Sequence, residues 1–420
     1  MLPILVLLSC ATPAQSDLER VAFIPSVQDD QRLGESFADL GDVNNDGVAD
    51  FAVGSPGHLP GSGIWGSGLV EVFSGADRSV LYHLDPVPSV DSLLGKNLVT
   101  IGDVNQDGAL DFVVGAGGYV GAYVVSGRDG IRLASIDTNS TGQFGMQIAV
   151  IGDLNGDNLP EFAIGLPVET VNNYGNAGRI MIMNGATGTL IQELQGAESY
   201  RSLGNTICGP GDLNGDGVPD LLVNGVDGRT IPSDGLTALS GTDFQPIYVL
   251  DRHELGHQVR DLDAIGDVNQ DGVGDFVITG YQENSAGNWF QGISRVMSGT
   301  NGDQIFKLTG SEFEDFGRSA TALGDLDGDG VNDFATVSML LNHAWQIRPR
   351  VEVFSGATGE EIGMAQSPIF SYFIVRIFAM SDIDNDGRDE IAIGVPENQI
   401  GGGTAGYYPG GELHILGYKQ

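Results

Sequence analysis

The chain has 420 residues, with 56 Asp or Glu against 19 Lys or Arg and a formal net charge of −37. This balance excludes binding to nucleic acid or to anionic membranes through a basic patch, and a compact fold carrying so much like charge repels itself unless cations neutralise part of it. Cys10 lies in the leading apolar segment and Cys208 is the second of the two cysteines, so a mature chain holds one thiol and no internal disulfide, and its stability comes from elsewhere.

In chain order, residues 1–16 (MLPILVLLSCATPAQS) read as an export signal, with an apolar run from Leu2 to Leu8 followed by small residues and no basic leader. That run is too short to span a bilayer as a helix, and no later stretch is apolar enough to do so. Two processing events fit: cleavage after Ala14, or a lipoprotein-type box, LLSC, in which Cys10 takes a lipid anchor. Either places the protein outside the cytoplasm, secreted, periplasmic or at the cell surface. Residues 17–420 read as a single domain.

Within that domain one phrase recurs seven times: GDVNNDGVADFAVG (41–54), GDVNQDGALDFVVG (102–115), GDLNGDNLPEFAIG (152–165), GDLNGDGVPDLLVN (211–224), GDVNQDGVGDFVIT (266–279), GDLDGDGVNDFATV (324–337) and SDIDNDGRDEIAIG (381–394). A period of that length, repeated in order, is the mark of a repeat architecture. A Phe-Gly or Leu-Gly pair precedes most copies, as at Leu33-Gly34 and Phe316-Gly317. After each of the first six copies comes a variable loop, then a run ending in Ser-Gly or similar (VEVFSG, 70–75; IMIMNG, 180–185), then a last short run such as VLYHL (80–84). Each unit therefore predicts four short strands separated by Gly and Asp turns. Such strands cannot bury a core alone, so the expected fold is all-β, with four-stranded antiparallel blades arranged radially and each covering its neighbour. The seventh unit stops after its third strand, LHILG (413–417). RVAFIPSV (20–27) is expected to supply the missing fourth and close the ring.

The acidic phrase has the form D-x-[DN]-x-D-G-x-x-[DE]. Positions 1, 3 and 5 aim side-chain oxygens at one centre, glycine at 6 allows a left-handed turn, the carbonyl of 7 adds a ligand, and the acid at 9 can bind through both oxygens. An all-oxygen set without His or Cys suits Ca²⁺. The predicted ligands are Asp42, Asn44, Asp46, Val48 and Asp50 in the first loop, Asp103, Asn105, Asp107, Ala109 and Asp111 in the second, and Asp153, Asn155, Asp157, Leu159 and Glu161 in the third. They continue with Asp212, Asn214, Asp216, Val218 and Asp220, then Asp267, Asn269, Asp271, Val273 and Asp275. The last two sets are Asp325, Asp327, Asp329, Val331 and Asp333, and Asp382, Asp384, Asp386, Arg388 and Glu390. Val and Ala, Leu159 and Arg388 would act through their backbone carbonyls. Two loops depart from the pattern: the third has Asn158 for glycine and Glu161 at position 9, and the seventh ends in Glu390. Asp-Gly and Asn-Gly are also ordinary turn formers, but seven in register point to up to seven Ca²⁺ coupled to folding.

The acidic loop, the Phe-Gly before it and the Gly-x-Pro after it (Gly54-Ser55-Pro56, Gly165-Leu166-Pro167, Gly394-Val395-Pro396) resemble the FG-GAP repeat of integrin α-subunits. The resemblance runs from residue 20 to 420. It implies a seven-bladed β-propeller with calcium in the loops between first and second strands, acting in extracellular adhesion or ligand recognition. The chain departs from integrins in having an acidic loop in every unit, and its seventh unit has no clear Phe-Gly (YFIVRIFAMSD, 372–382).

Other signals are weaker. RHELGHQ (252–258) contains HExxH, but Leu255-Gly256 is the fifth unit's Phe-Gly equivalent, so the segment reads as a turn into a strand. Without a helix, His253 and His257 do not share a face with Glu254 between them. GSGIWG (61–66) precedes a strand, not a helix, and Cys208 occupies a core position. No catalytic residues are predicted. Loops joining second to third strands lie on the face opposite the acidic loops and hold Trp65, Tyr174, Trp289, Phe290, Trp345, Arg348, Tyr407 and Tyr408. These residues either bind a protein or glycan ligand or plug the loops onto the blade ends. The reading that results is an exported calcium-binding recognition or adhesion module. The alternative is a propeller enzyme acting on polysaccharide or phospholipid.

Overall fold

The computed structural model describes residues 18–26, 32–57, 67–85, 93–116, 121–136, 147–197, 199, 202–224, 235–251, 255, 257–282, 291–311, 314–341, 347–366, 376–396 and 411–418. Within them lie seven four-stranded antiparallel sheets. β1 (Leu18–Pro25) comes first. Blade 1 is β2 (Ser36–Gly41), β3 (Asp50–Gly54), β4 (Val70–Phe73) and β5 (Val80–Leu84). Blade 2 is β6 (Leu94–Gly102), β7 (Asp111–Ala116), β8 (Gly121–Val125) and β9 (Arg132–Ile136); blade 3 is β10 (Gln147–Gly152), β11 (Glu161–Leu166), β12 (Arg179–Met183) and β13 (Leu190–Gln195). Blade 4 is β14 (Ile207–Gly211), β15 (Asp220–Asn224), β16 (Leu236–Leu239) and β17 (Pro246–Leu250); blade 5 is β18 (His257–Gly266), β19 (Asp275–Gln282), β20 (Ile293–Met297) and β21 (Gln304–Thr309). Blade 6 is β22 (Ala320–Ala322), β23 (Phe334–Leu341), β24 (Ile347–Phe354) and β25 (Glu361–Gln366); blade 7 opens with β26 (Arg376–Met380), β27 (Glu390–Val395) and β28 (Glu412–Tyr418).

The expected closure is present: β1 pairs antiparallel with β28 as the fourth strand of blade 7. It runs over Leu18–Pro25, two residues earlier than the apolar run suggests, because pairing extends to Leu18 opposite Tyr418. The first strands of successive blades contact one another around the ring, and β26 meets β2 to complete it. The structure is thus a seven-bladed β-propeller.

Glycine explains how blades come so close. A Cβ on Gly54, at the end of the second strand, would sit 2.1 Å from the carbonyl oxygen of Gly95 in the next blade's Leu-Gly pair. Gly394 and Gly34 meet the same way across the closure, at 1.9 Å. The two recurring glycines of the unit therefore face each other between blades, where no side chain fits. The preceding Leu or Phe forms a bridge to the glycine ahead of the previous blade's third strand: Leu94 to Gly68, Leu203 to Gly178, Phe316 to Gly292 and, across the closure, Leu33 to Gly411.

The core lies between blades. Phe51, Phe112, Phe162, Phe276 and Phe334, each directly after an acidic loop, are fully buried, and burying a side chain of that size contributes about 1.5–3 kcal/mol. Cys208 is buried in this core, which pushes its thiol pKa up, as suits a structural residue. The fifth unit's extra residues lengthen its first strand, with bulges at Val259/Asp261 and Ala264/Gly266. His257 opens that strand and the Leu255 N–H closes a helical turn onto the Asp251 carbonyl; His253 and Glu254 lie outside the described residues.

Candidate metal centres

All seven acidic loops connect first to second strands and so lie on one face of the ring. Their backbone is shaped by two left-handed residues, not one. Position 6 has φ of 94° at Gly47, 88° at Gly108 and 90° at Gly387, and Asn158 takes the same conformation at 65°. Asparagine tolerates that region through its short polar side chain, as expected for the third loop. Position 4 is also left-handed: Asn45 at 63°, Gln106 at 60°, Gly215 at 77°, Gly328 at 81° and Asn385 at 62°. The sequence reading missed this, although only Asn, Gln and Gly occur there.

The turns direct backbone N–H groups onto the loop's own acids. In the first loop, Asp42 accepts from the N–H of Asp46 at 2.9 Å and of Gly47 at 2.8 Å. Asn44 Oδ1 accepts from Asp46 N–H and Asp46 Oδ1 from Val48 N–H, at 2.8 and 3.0 Å. The same bonds recur in the seventh loop, where Asp382 accepts from Gly387 N–H at 2.8 Å and Asp386 from Arg388 N–H at 2.9 Å. Acids thus held have fixed orientations but remain mutually repulsive.

Position 9 is the most enclosed. Asp50, Asp111, Asp220, Asp275 and Asp333 are fully buried. Asp50 Oδ2 accepts from the N–H of Val43 and Asn44, and Oδ1 from that of Gly75 at the end of β4, 3.0 Å away. The equivalent bond joins Asp111 to Gly127, Asp220 to Gly241, Asp275 to Gly299 and Asp333 to Gly356. The Ser-Gly that follows the third strand is therefore part of the site, a role the sequence reading did not assign. Its serine, or the residue after its glycine, also reaches the acid at position 5: Ser74 to Asp46 at 3.1 Å, Ser126 to Asp107 at 3.2 Å, Thr242 to Asp216 and Thr300 to Asp271 at 2.9 Å.

Electrostatics separate the positions. Burial raises the pKa of Asp50, Asp111, Asp220, Asp275 and Asp333 despite the N–H groups that oppose it. Glu161 moves the same way for the same reason. Exposed Asp46 is lowered by the Asn44 amide, and Asp216 by the Val218 N–H. Glu390 stands apart: burial, with Asp384, Asp382 and Asp386 adding repulsion, pushes it to about 8.

Among the described residues, carboxylate oxygens from three acids converge within 4.8 Å in two loops: Asp325, Asp327 and Asp333, and Asp382, Asp384 and Glu390. These are the two with Asp in place of Asn at position 3. The seventh loop thus brings its acids together despite its departure from the pattern. The donor set in every loop is carboxylate, carboxamide and backbone oxygen, which fits a hard divalent cation.

The opposite face is less fully described. Trp65, Trp289, Phe290, Trp345, Tyr407 and Tyr408 lie outside the described residues; Arg348 is placed only as backbone in β24; Tyr174 is 44% exposed. Near the starts of the innermost strands on that face, buried Glu35 pairs with Arg32 at 2.9 Å and with Lys96, which hold its carboxyl below its usual range against the effect of burial. Across the ring, Asp315 pairs with Arg260 at 2.9 Å and Arg318 at 3.0 Å. The described residues include no helix long and apolar enough to cross a membrane.

The fold and the repeated acidic loops define a class: seven-bladed β-propellers with an acidic loop between the first and second strands of each blade. Residues 153–223 match the family described as FG-GAP-like repeat. The chain is similar to integrin alpha-5 of Xenopus laevis, with 31% identity over 228 residues, covering 48% of this chain and 21% of that protein. It is also similar to integrin alpha-7 of Homo sapiens, with 32% identity over 142 residues, covering 30% of this chain and 12% of that protein. The matched regions are thus a minor part of those relatives' lengths. A crystal structure of BBS1N in complex with ARL6DN superposes with a TM-score of 0.60 at 9% identity, covering 97% of this chain and 98% of that one, a likeness of fold alone.

Proposed function

We propose that the protein is an exported recognition or adhesion module whose propeller is stabilised by Ca²⁺ in its acidic loops. The observation that carries this reading is the sevenfold recurrence of an all-oxygen loop with its acids held by backbone N–H groups. In each loop the residues at positions 1, 3, 5 and 9, with the carbonyl at 7, would hold the ion. The ion would supply positive charge where the chain has packed negative charge. The similarity to integrin α-subunits supports a role in recognition outside the cell.

The ligand, a protein or glycan, would meet the face opposite the acidic loops, where Tyr174 is exposed. Residues 1–16 would direct export, and Cys10 would carry a lipid if the LLSC box is used. The test is calorimetric titration of the chelated protein with Ca²⁺, followed by probing glycan and extracellular-protein arrays with loaded and chelated samples. Saturable calcium uptake and calcium-dependent capture of a ligand without turnover are expected. No uptake would refute the metal reading, and turnover of a bound polysaccharide or phospholipid would replace recognition with catalysis.

A further inference from the structure

Resting on that metal reading, we infer that the seventh acidic loop is the latch of the ring: its cation holds the loop against β28 and so seats the N-terminal strand β1. In blades 1, 2, 4, 5 and 6 the position-9 acid is partly neutralised by a glycine N–H from the end of the third strand. Blade 3 lacks that bond, but Glu161 takes the amides of Asn155 and Asn184, at 2.6 and 3.0 Å. Blade 7 has neither arrangement: among the described residues Glu390 accepts one backbone N–H, from Ile383 at 2.8 Å. The position held by Ser or Asn in the other blades is Gly417, which has no side chain to donate from, since Ile391 pairs with Leu416 as Phe51 pairs with Phe73 before Ser74. Five acids, Asp382, Asp384, Asp386, Asp389 and Glu390, share this loop, four of them at ligand positions, and Asp382, Asp384 and Glu390 converge. Arg388 does not relieve them at close range, since its guanidinium stacks over the Tyr418 ring, 5.1 Å from the centroid.

The consequence reaches β1 through Gly417. A Cβ on Gly417 would lie 3.3 Å from Asp384 Oδ2, 3.6 Å from Glu390 Oε1 and 2.6 Å from Val21 of β1. The acids therefore abut one side of β28 while β1 lies along it, with Glu19 paired to Gly417. Repulsion in the loop, offset only in part by the Arg78 charge acting on Asp384, would push it off β28, and β1, paired only to β28 within its sheet, would be the first segment to open.

The test is hydrogen exchange of residues 18–25 in the whole chain, with and without Ca²⁺, alongside calorimetric stoichiometry. Calcium is expected to slow exchange of β1 by about ten-fold or more. Asp384→Asn with Glu390→Gln should lose one bound ion and the calcium response of β1. Asp212→Asn in blade 4 should lose an ion and keep that response. The wild-type comparison stands even if the double variant folds poorly. If calcium binds but β1 exchange changes less than about two-fold, or if Asp212→Asn removes the response equally, the latch is refuted while the metal reading survives. Absence of calcium uptake would refute both.

Discussion

At the scale of single residues, the acid at position 9 does more than offer a ligand: it gathers N–H groups from its own loop and from a neighbouring strand. Asp220 receives Leu213 and Gly241 in this way, at 2.7 and 2.8 Å. Asp220→Ala is expected to leave those buried donors unsatisfied and destabilise the fold by about 1–3 kcal/mol. Urea denaturation of the chelated protein would isolate this from any metal contribution.

Glu390 determines a second outcome. Its pKa is raised from 4.5 to about 8, so between those values the folded, metal-free chain holds more proton than the unfolded chain. Stability of the chelated protein should therefore fall as pH rises through that window. Asp263, raised to about 6 by burial between blades 5 and 6, acts in the same direction over the lower part of it. Glu35, lowered by Lys96 and Arg32 against its burial, gains its stabilisation above its unfolded value and should be insensitive across the upper part. Calcium needs the deprotonated acid, so its effect has the opposite sign. Melting curves at roughly pH 5.5 and 8 should show chelated protein more stable at the lower pH and the calcium increment larger at the higher.

At the scale of elements, β1 closes the ring and covers the edge of β28, which otherwise presents unpaired backbone groups. Deletion of residues 18–25 is expected to leave a folded but self-associating protein, visible as a shift to higher mass in light scattering. The alternation of blades is also an element-scale property. Phe276 fills the space between blades 4 and 5, beside Leu222 and Leu236. Phe276→Ala should cost about 3–5 kcal/mol in thermal or urea unfolding, more than any single loop acid, because it opens a cavity at a blade interface.

At the scale of the molecule, a net charge of −37 with one face lined by acidic loops leaves the metal-free fold under general repulsion. Added monovalent salt should raise the melting temperature of the chelated protein by screening, and Ca²⁺ should raise it further with less dependence on salt. At a hundredfold excess over its dissociation constant, each site adds about 2.7 kcal/mol. Equal melting temperatures with calcium and with chelator, at matched ionic strength, would contradict this.

The repeat, the strand count, the closure by the N-terminal strand and the left-handed turns at Gly47 and Asn158 were all legible in the sequence. Each follows from local chemistry: alternating apolar runs make strands, and Asx-Gly pairs make turns wherever they occur. Less legible were relations between segments far apart in the chain. That Gly75 donates to Asp50, that Gly394 packs on Gly34 and that Gly417 separates Val21 from Asp384 are decided by which backbones meet. Even the contrast between Asp384 and the Asn of most other loops, plain in the sequence, acquires meaning only beside the missing side-chain donor at Gly417. Local propensity is written residue by residue, but contact between blades depends on ring geometry, and only the assembled ring sets the distances at which charges repel and N–H groups reach their acceptors.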